Sequence, residues 1–148
     1  MLALEMDKAA VKGFMGQLLK GEIFDSFEVR SVEMAAGVRF TIEGTLEEAG
    51  FARWSALRQV VYEIVKVSPK PRFIKVVFSY AAEEAAKVHP NAAALFLNLV
   101  YENDSITFTT ATAQREFVMD KSLEMAWDDR IREFFRSSGV TLTDRLEG

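Results

Sequence analysis

Asp120, Glu124 and Asp128 recur at intervals of four, and on a helix that spacing places three carboxylates along one stripe. Such a stripe offers hard oxygen ligands to Mg²⁺ or Mn²⁺, or a pair of carboxyls for general acid and base work. The same stretch also has a plainer reading. Its acids come first and Arg130, Arg132 and Arg136 follow, which is the charge order that complements a helix dipole, and Asp128 can pair with Arg132. Asp25 is the fourth candidate acid. Trp54 and Arg58 lie one turn apart, so the guanidinium could stack on the indole or take a ligand carboxylate; a buried Trp54 with Arg58 lying across it satisfies the same spacing. The neighbouring acids Glu47-Glu48, Glu83-Glu84 and Asp128-Asp129 would diverge by about 100° on a helix and cannot act as dyads. Thr107, Thr109, Thr110 and Thr112 could line a polar cleft, although threonine is also favoured on the solvated face of a sheet. The single histidine, His89, precedes Pro90 and belongs to a loop, where capping is its ordinary role.

Composition removes the common catalytic kits. With no cysteine and one histidine there is no thiol nucleophile and no thiolate zinc site, and no metal set is assigned. Gly-rich phosphate loops, G-x-S-x-G, H-E-x-x-H, the EF-hand loop and the dinucleotide fingerprint are all missing from the sequence. A net charge of −4 and a pI near 5.1 argue against a nucleic-acid partner. The densest basic group, Lys66, Lys70, Arg72 and Lys75, is broken by Pro69 and Pro71. Acids interrupt the apolar residues of 1–7, and the longest apolar run, 92–97, is too short to span a bilayer. A soluble, cytoplasmic protein without a membrane partner is therefore expected.

Periodicity supplies the elements. Leu2, Leu4 and Met6 alternate as a short strand; Asp7 then caps a helix that Gly21 should end in a left-handed turn, with Gly13 and Gly16 explained by close packing. Residues 27–43 form a hairpin about Ala36-Gly37, with a bulge near Arg30-Ser31 to absorb a change of parity. Thr45 to Glu48 has capping-box spacing and predicts a short helical turn. A helix over 52–66 follows, then a central strand over 72–80 with both faces covered, then a short helix over 81–88. Residues 95–108 make a second hairpin about Asn103-Asp104; a bulge or a further turn near Ala111 to Gln114 separates it from Phe117 and Met119. The last helix begins near Asp120 or Ser122 and ends at Gly139. The order β-α-β-β-α-β-α-β-β-(β)-α predicts a single α+β domain over 1–148, a mainly antiparallel sheet of about six strands with helices packed on it.

Three segments carry a resemblance: Phe14-Met15, Leu18-Leu19 and Gly21-Glu22-Ile23-Phe24-Asp25; Trp54 with Leu57-Arg58; and Leu95-Phe96-Leu97 followed by Asp120-Lys121-Ser122-Leu123-Glu124 and Trp127-Asp128. Together they resemble an uncharacterised family, a domain of unknown function, of small proteins from anaerobic Firmicutes. The resemblance implies one intracellular domain and transfers no catalytic residues. With 12 phenylalanines and no catalytic set, the sequence points to a non-enzymatic interaction or ligand-binding module, a homo-oligomer or the partner of another protein. The alternative is a carboxylate-dependent enzyme, Mg- or Mn-assisted, using Asp25 or Asp120, Glu124 and Asp128. Trp54 and Arg58 are the candidate ligand-binding residues. Substrate and cofactor are open.

Overall fold

The computed structural model describes residues 1–145. The chain runs β1 (Ala3–Glu5), α1 (Lys8–Lys20), β2 (Glu28–Ala36), β3 (Val38–Glu43), α2 (Trp54–Val67), β4 (Phe73–Ser79), α3 (Ala82–Val88), β5 (Ala92–Glu102), β6 (Ser105–Gln114), α4 (Ser122–Ser137) and β7 (Thr143–Asp144). All strands join one seven-stranded sheet in the order β3-β2-β4-β5-β6-β1-β7, with every pairing antiparallel. The α+β class is as the sequence predicts. β6 continues to Gln114 and leaves the sheet there, so residues 105–119 hold one strand, and the seventh strand is the two-residue β7 after α4.

Strand alternation divides the sheet into two unlike faces. Val32, Met34, Ile74, Val76, Phe78, Leu97, Leu99, Ile106 and Phe108 are each at most 2% exposed and form the core face. The helices bury their apolar stripes against it, α1 through Phe14 on Phe108 and α4 through Phe135 on Phe108. On the other face the pairing registers place Ser31, Val77, Asn98 and Thr109 in one row and Glu33, Lys75, Val100 and Thr107 in the next. All of these are half-buried. β4 is therefore interior in the sheet, and its second face is partly covered: Ser79 is fully buried and holds Arg30, while Phe73, Lys75 and Val77 are half-buried, as an antiparallel sheet with one wetter face allows.

Phe24, in the turn between α1 and β2, stands at the centre of the core. Its ring stacks on Phe78 at 4.8 Å and meets Phe134 at 5.4 Å, Phe27 at 5.8 Å and Phe14 at 6.0 Å. Trp54 and Trp127 are fully buried, and each indole N–H donates to a carbonyl, Leu18 O at 3.0 Å and Phe96 O at 2.8 Å.

Local chemistry explains the turns. Asn103 and Asp104 both take positive φ, 53° and 61°, and close the β5–β6 hairpin as an Asn-Asp turn should. The bulge lies where parity slips, between Val29 and Ser31. Three expectations are corrected. Residues 45–48 form no helical turn, because Thr45 bridges to Phe51 instead. Gly21 ends α1 with extended backbone, φ −90°, its N–H donating to Gln17 O at 2.8 Å. Nothing lies within 4 Å of a Cβ built on Gly13 or Gly16, so close packing does not account for them. Both sit exposed inside α1. Gly13→Ala and Gly16→Ala should each raise unfolding free energy by about 0.5–1 kcal/mol in urea titrations, because a helical site with room for the methyl keeps only the entropic penalty of glycine.

Candidate functional site

Asp25 and Arg58 are brought together, and they satisfy each other. Arg58 Nε donates to Asp25 Oδ1 at 2.8 Å and Nη2 to Oδ2 at 3.1 Å, a two-pronged pair in which each side chain is 22% exposed. The Asp25 hydrogen bond raises the Arg58 pKa above its ordinary value. The pair ties the turn after α1 to α2. Trp54 lies one turn earlier and is wholly buried, so the indole offers no face to a ligand and a ligand carboxylate would have to displace Asp25 from Arg58.

Along α4 the three acids go to three different partners. Asp120 precedes the helix and accepts from the Ser122 N–H at 2.9 Å and the Ser122 hydroxyl at 2.5 Å, which hold its carboxyl below the usual carboxylate range. Glu124 faces the N-terminal ammonium of Met1 and, at 3.6 Å, Lys121 Nζ. Asp128 accepts from Thr110 Oγ1 at 2.6 Å, and Thr110 Oγ1 accepts in turn from the Leu2 N–H at 2.8 Å. Arg132, the sequence's partner for Asp128, instead forks onto Asp144 at 3.0 and 2.9 Å, and that pair fastens β7 to α4. Among the described residues no three His, Asp or Glu side chains gather closely enough to hold a metal ion. Thr107 and Thr109 lie on the open face, whereas Thr110 is buried on the core face.

His89 belongs to a cluster that sequence spacing does not show. The Asn91 backbone N–H donates to His89 Nδ1 at 3.0 Å, so the neutral ring carries its proton on Nε2, 3.0 Å from Ser122 Oγ. Ser122 gives its own hydroxyl proton to Asp120. Histidine, serine and aspartate therefore form a chain, but its protons point from His89 towards Asp120, the reverse of a serine activated by an imidazole base. It fastens the loop before β5 to the start of α4. A separation of 33 residues between His89 and Ser122 leaves no local signal for it.

The same fastenings hold out an apolar corner. Asn91 grips Glu116 through Nδ2 to Glu116 O at 2.9 Å and the Glu116 N–H to Oδ1 at 3.0 Å, while the Gln114 amide bonds both the N–H and the C=O of Val118. The segment held this way presents Phe117 at 86% exposure and Met119 at 86%. Met125 on the first turn of α4 and Met1 are also exposed. Phe117, Met119 and Glu124 border a cavity of about 370 Å³, and a second of about 220 Å³ shares Thr112 and Glu124 with it and reaches Met1.

The profile of a family of unknown function, DUF5721, matches residues 17–142 of the chain. No curated protein and no solved structure matches it.

Proposed function

We propose, for a chain that belongs to the family of unknown function DUF5721, that it is a non-enzymatic interaction module that pairs with a second copy of itself through the apolar corner at Phe117 and Met119. One observation carries this reading. Of nine large apolar side chains exposed among the described residues, four, Met1, Phe117, Val118 and Met119, border the two adjoining cavities of this one corner. Exposed apolar groups scattered singly need no explanation, but a concentrated patch does, and methionine and phenylalanine are frequent anchors. The Asn91 and Gln114 bonds fix the segment before any partner arrives, which lowers the ordering cost of association.

Arg115 and Lys121 stand here with Glu116 and Asp120, two charges of each sign, so a two-fold axis can set each sign against its opposite. That mixture favours a second copy over a strongly charged partner. An acidic chain of net charge −4 agrees with the absence of a nucleic-acid partner from this reading, and no described helix is long and apolar enough to cross a membrane. A cytoplasmic, single-domain protein is part of the proposal. The carboxylate-dependent enzyme has no comparable observation behind it, since Asp25, Asp120, Glu124 and Asp128 are each engaged separately.

Sedimentation velocity across a range of concentrations tests the reading. The wild-type chain should show a concentration-dependent dimer, and Phe117→Asp or Met119→Asp should weaken it by about tenfold or more, as expected for an interface anchor. Both positions are solvent-facing, so folding should be unaffected. A wild-type chain that remains monomeric throughout, or aspartate variants that dimerise as well as it does, would remove the proposal.

A further inference from the structure

We infer that the cavity between α1, α2 and the Asn103-Asp104 end of the β5–β6 hairpin binds a single-chain amphipathic anion, an alkyl chain ending in a carboxylate or phosphate. The cavity measures about 550 Å³, inside the range of about 300–1,000 Å³ that small-molecule sites occupy. It lies at the opposite end of the hairpin from Phe117, along an eleven-residue strand.

Its lining is divided by polarity. The buried residues Val11, Leu19 and Ile74 form an apolar interior with half-buried Met15 and Val65, and none of these offers a polar side-chain atom to a ligand. This suits an alkyl chain and leaves the hydrogen-bonding groups of a sugar or a nucleobase without partners. At the border stand Lys8, Lys12, Lys70 and Asp104. Asp104 is already committed: it accepts from Lys70 Nζ at 2.8 Å and from Tyr101 Oη at 2.9 Å, and Lys70 holds its carboxyl below the usual range. That leaves Lys8 and Lys12 without a salt-bridge partner among the described residues.

Position strengthens the charge argument. Lys8, Lys12, Met15 and Leu19 follow one another along a single stripe of α1, so the two ammonium groups continue the apolar lining towards solvent. Lysines in the first turns of a helix oppose its dipole, and α1 has no acidic residue in its first turn. The Asp7 carboxylate already caps this helix end, accepting from the Ala9 N–H at 3.4 Å, so an anionic head beside Lys8 and Lys12 would be favoured by the two lysines. A neutral or cationic head would not. In a chain of net charge −4, two lysines with no salt-bridge partner among the described residues, beside an apolar cavity, set the sign of the ligand.

Isothermal titration of the full chain tests this with dodecanoate, dodecyl phosphate, dodecan-1-ol and dodecylamine, each kept below its micelle concentration. Dodecanoate or dodecyl phosphate should bind saturably, and the stronger of the two identifies the head group. The alcohol and the amine should bind about tenfold more weakly or less, as a change of one or two charge contacts implies. The double variant Lys8→Glu with Lys12→Glu should reverse the preference between anion and amine, and circular dichroism should show it folded, since both side chains are exposed. Val65→Phe, which narrows the cavity, should weaken every alkyl ligand. Phe117→Asp should change none of these affinities, which keeps the site separate from self-association. No saturable binding of either anion, equal affinity for the amine, or an unchanged preference in the double variant would each overturn the inference.

Discussion

Replacing Phe24 with alanine should remove about 3–5 kcal/mol of stability, the cost of a large core aromatic truncated where its neighbours cannot close in. Phe24 is 1% exposed and touches rings from α1, β4, β6 and α4, so one deletion opens a void shared by several elements. Against a total of about 5–15 kcal/mol for a domain of ordinary stability, this would leave the variant close to unfolding at ambient temperature. Guanidinium titration followed by tryptophan fluorescence measures it, because Trp54 and Trp127 are both buried. Phe24→Leu should recover more than half of the loss by keeping most of the apolar volume. A loss below about 1 kcal/mol for the alanine variant would show that the turn before β2 is peripheral to the core.

That cluster also shows what composition does and does not reveal. Twelve phenylalanines suggest an interface, yet Phe14, Phe24, Phe27, Phe78, Phe108 and Phe135 are buried, and Phe117 is the one phenylalanine among the exposed large apolar residues. The interface signal is therefore the position of Phe117 and Met119, in a segment that had left the alternation of β6. Alternation, the Asn103-Asp104 turn and the bulge were legible because each is decided by residues within a few positions of one another: Asn103-Asp104 closes its hairpin, and Arg30 absorbs the parity slip. Side-chain partners were not. Spacing put Asp128 beside Arg132, but the fold carries Asp144 to Arg132 and Thr110 to Asp128. Asp25 finds Arg58, and His89 finds Ser122, each across 33 residues. Of the expected stripe, Glu124 and Asp128 lie on α4 while Asp120 stands before the helix, and the partners that the three acids find depend on distant backbone that no local pattern encodes. The cavity bordered by Lys8 and Lys12 needs α1, α2 and a hairpin end at once, so it too lay outside the reach of spacing.

Gly44 shows the same limit at the scale of one atom, and its substitution is the second large effect expected. Between β3 and α2 the chain folds back along β2: the Gly44 N–H donates to Arg30 O at 2.9 Å, the Ala52 N–H to Gly44 O at 2.7 Å and the Val29 N–H to Ala52 O at 2.8 Å. A Cβ on Gly44 would stand 1.7 Å from Val29 O and 2.7 Å from Val29 C, both backbone atoms, so no rotamer relieves the clash. Arg30 and Phe51 depend on this crossing. The Arg30 guanidinium lies 3.9 Å from the centre of the Phe51 ring and 5.1 Å from that of Phe96, while Nε donates at 3.1 Å to Ser79 Oγ, which is fully buried. Gly44→Ala should therefore cost about 3 kcal/mol, the upper end of ordinary overpacking, because main chain must separate from main chain. Protease cleavage between residues 44 and 53 should rise with it as the Phe51 cover lifts. Gly50→Ala is the informative control. Gly50 has φ +84° but nothing within 4 Å of its Cβ, so its alanine should cost only about 1–2 kcal/mol of backbone strain. If Gly50→Ala proves the more damaging of the two, the turn's left-handed residue governs this segment, and the close crossing of residue 44 over β2 does not.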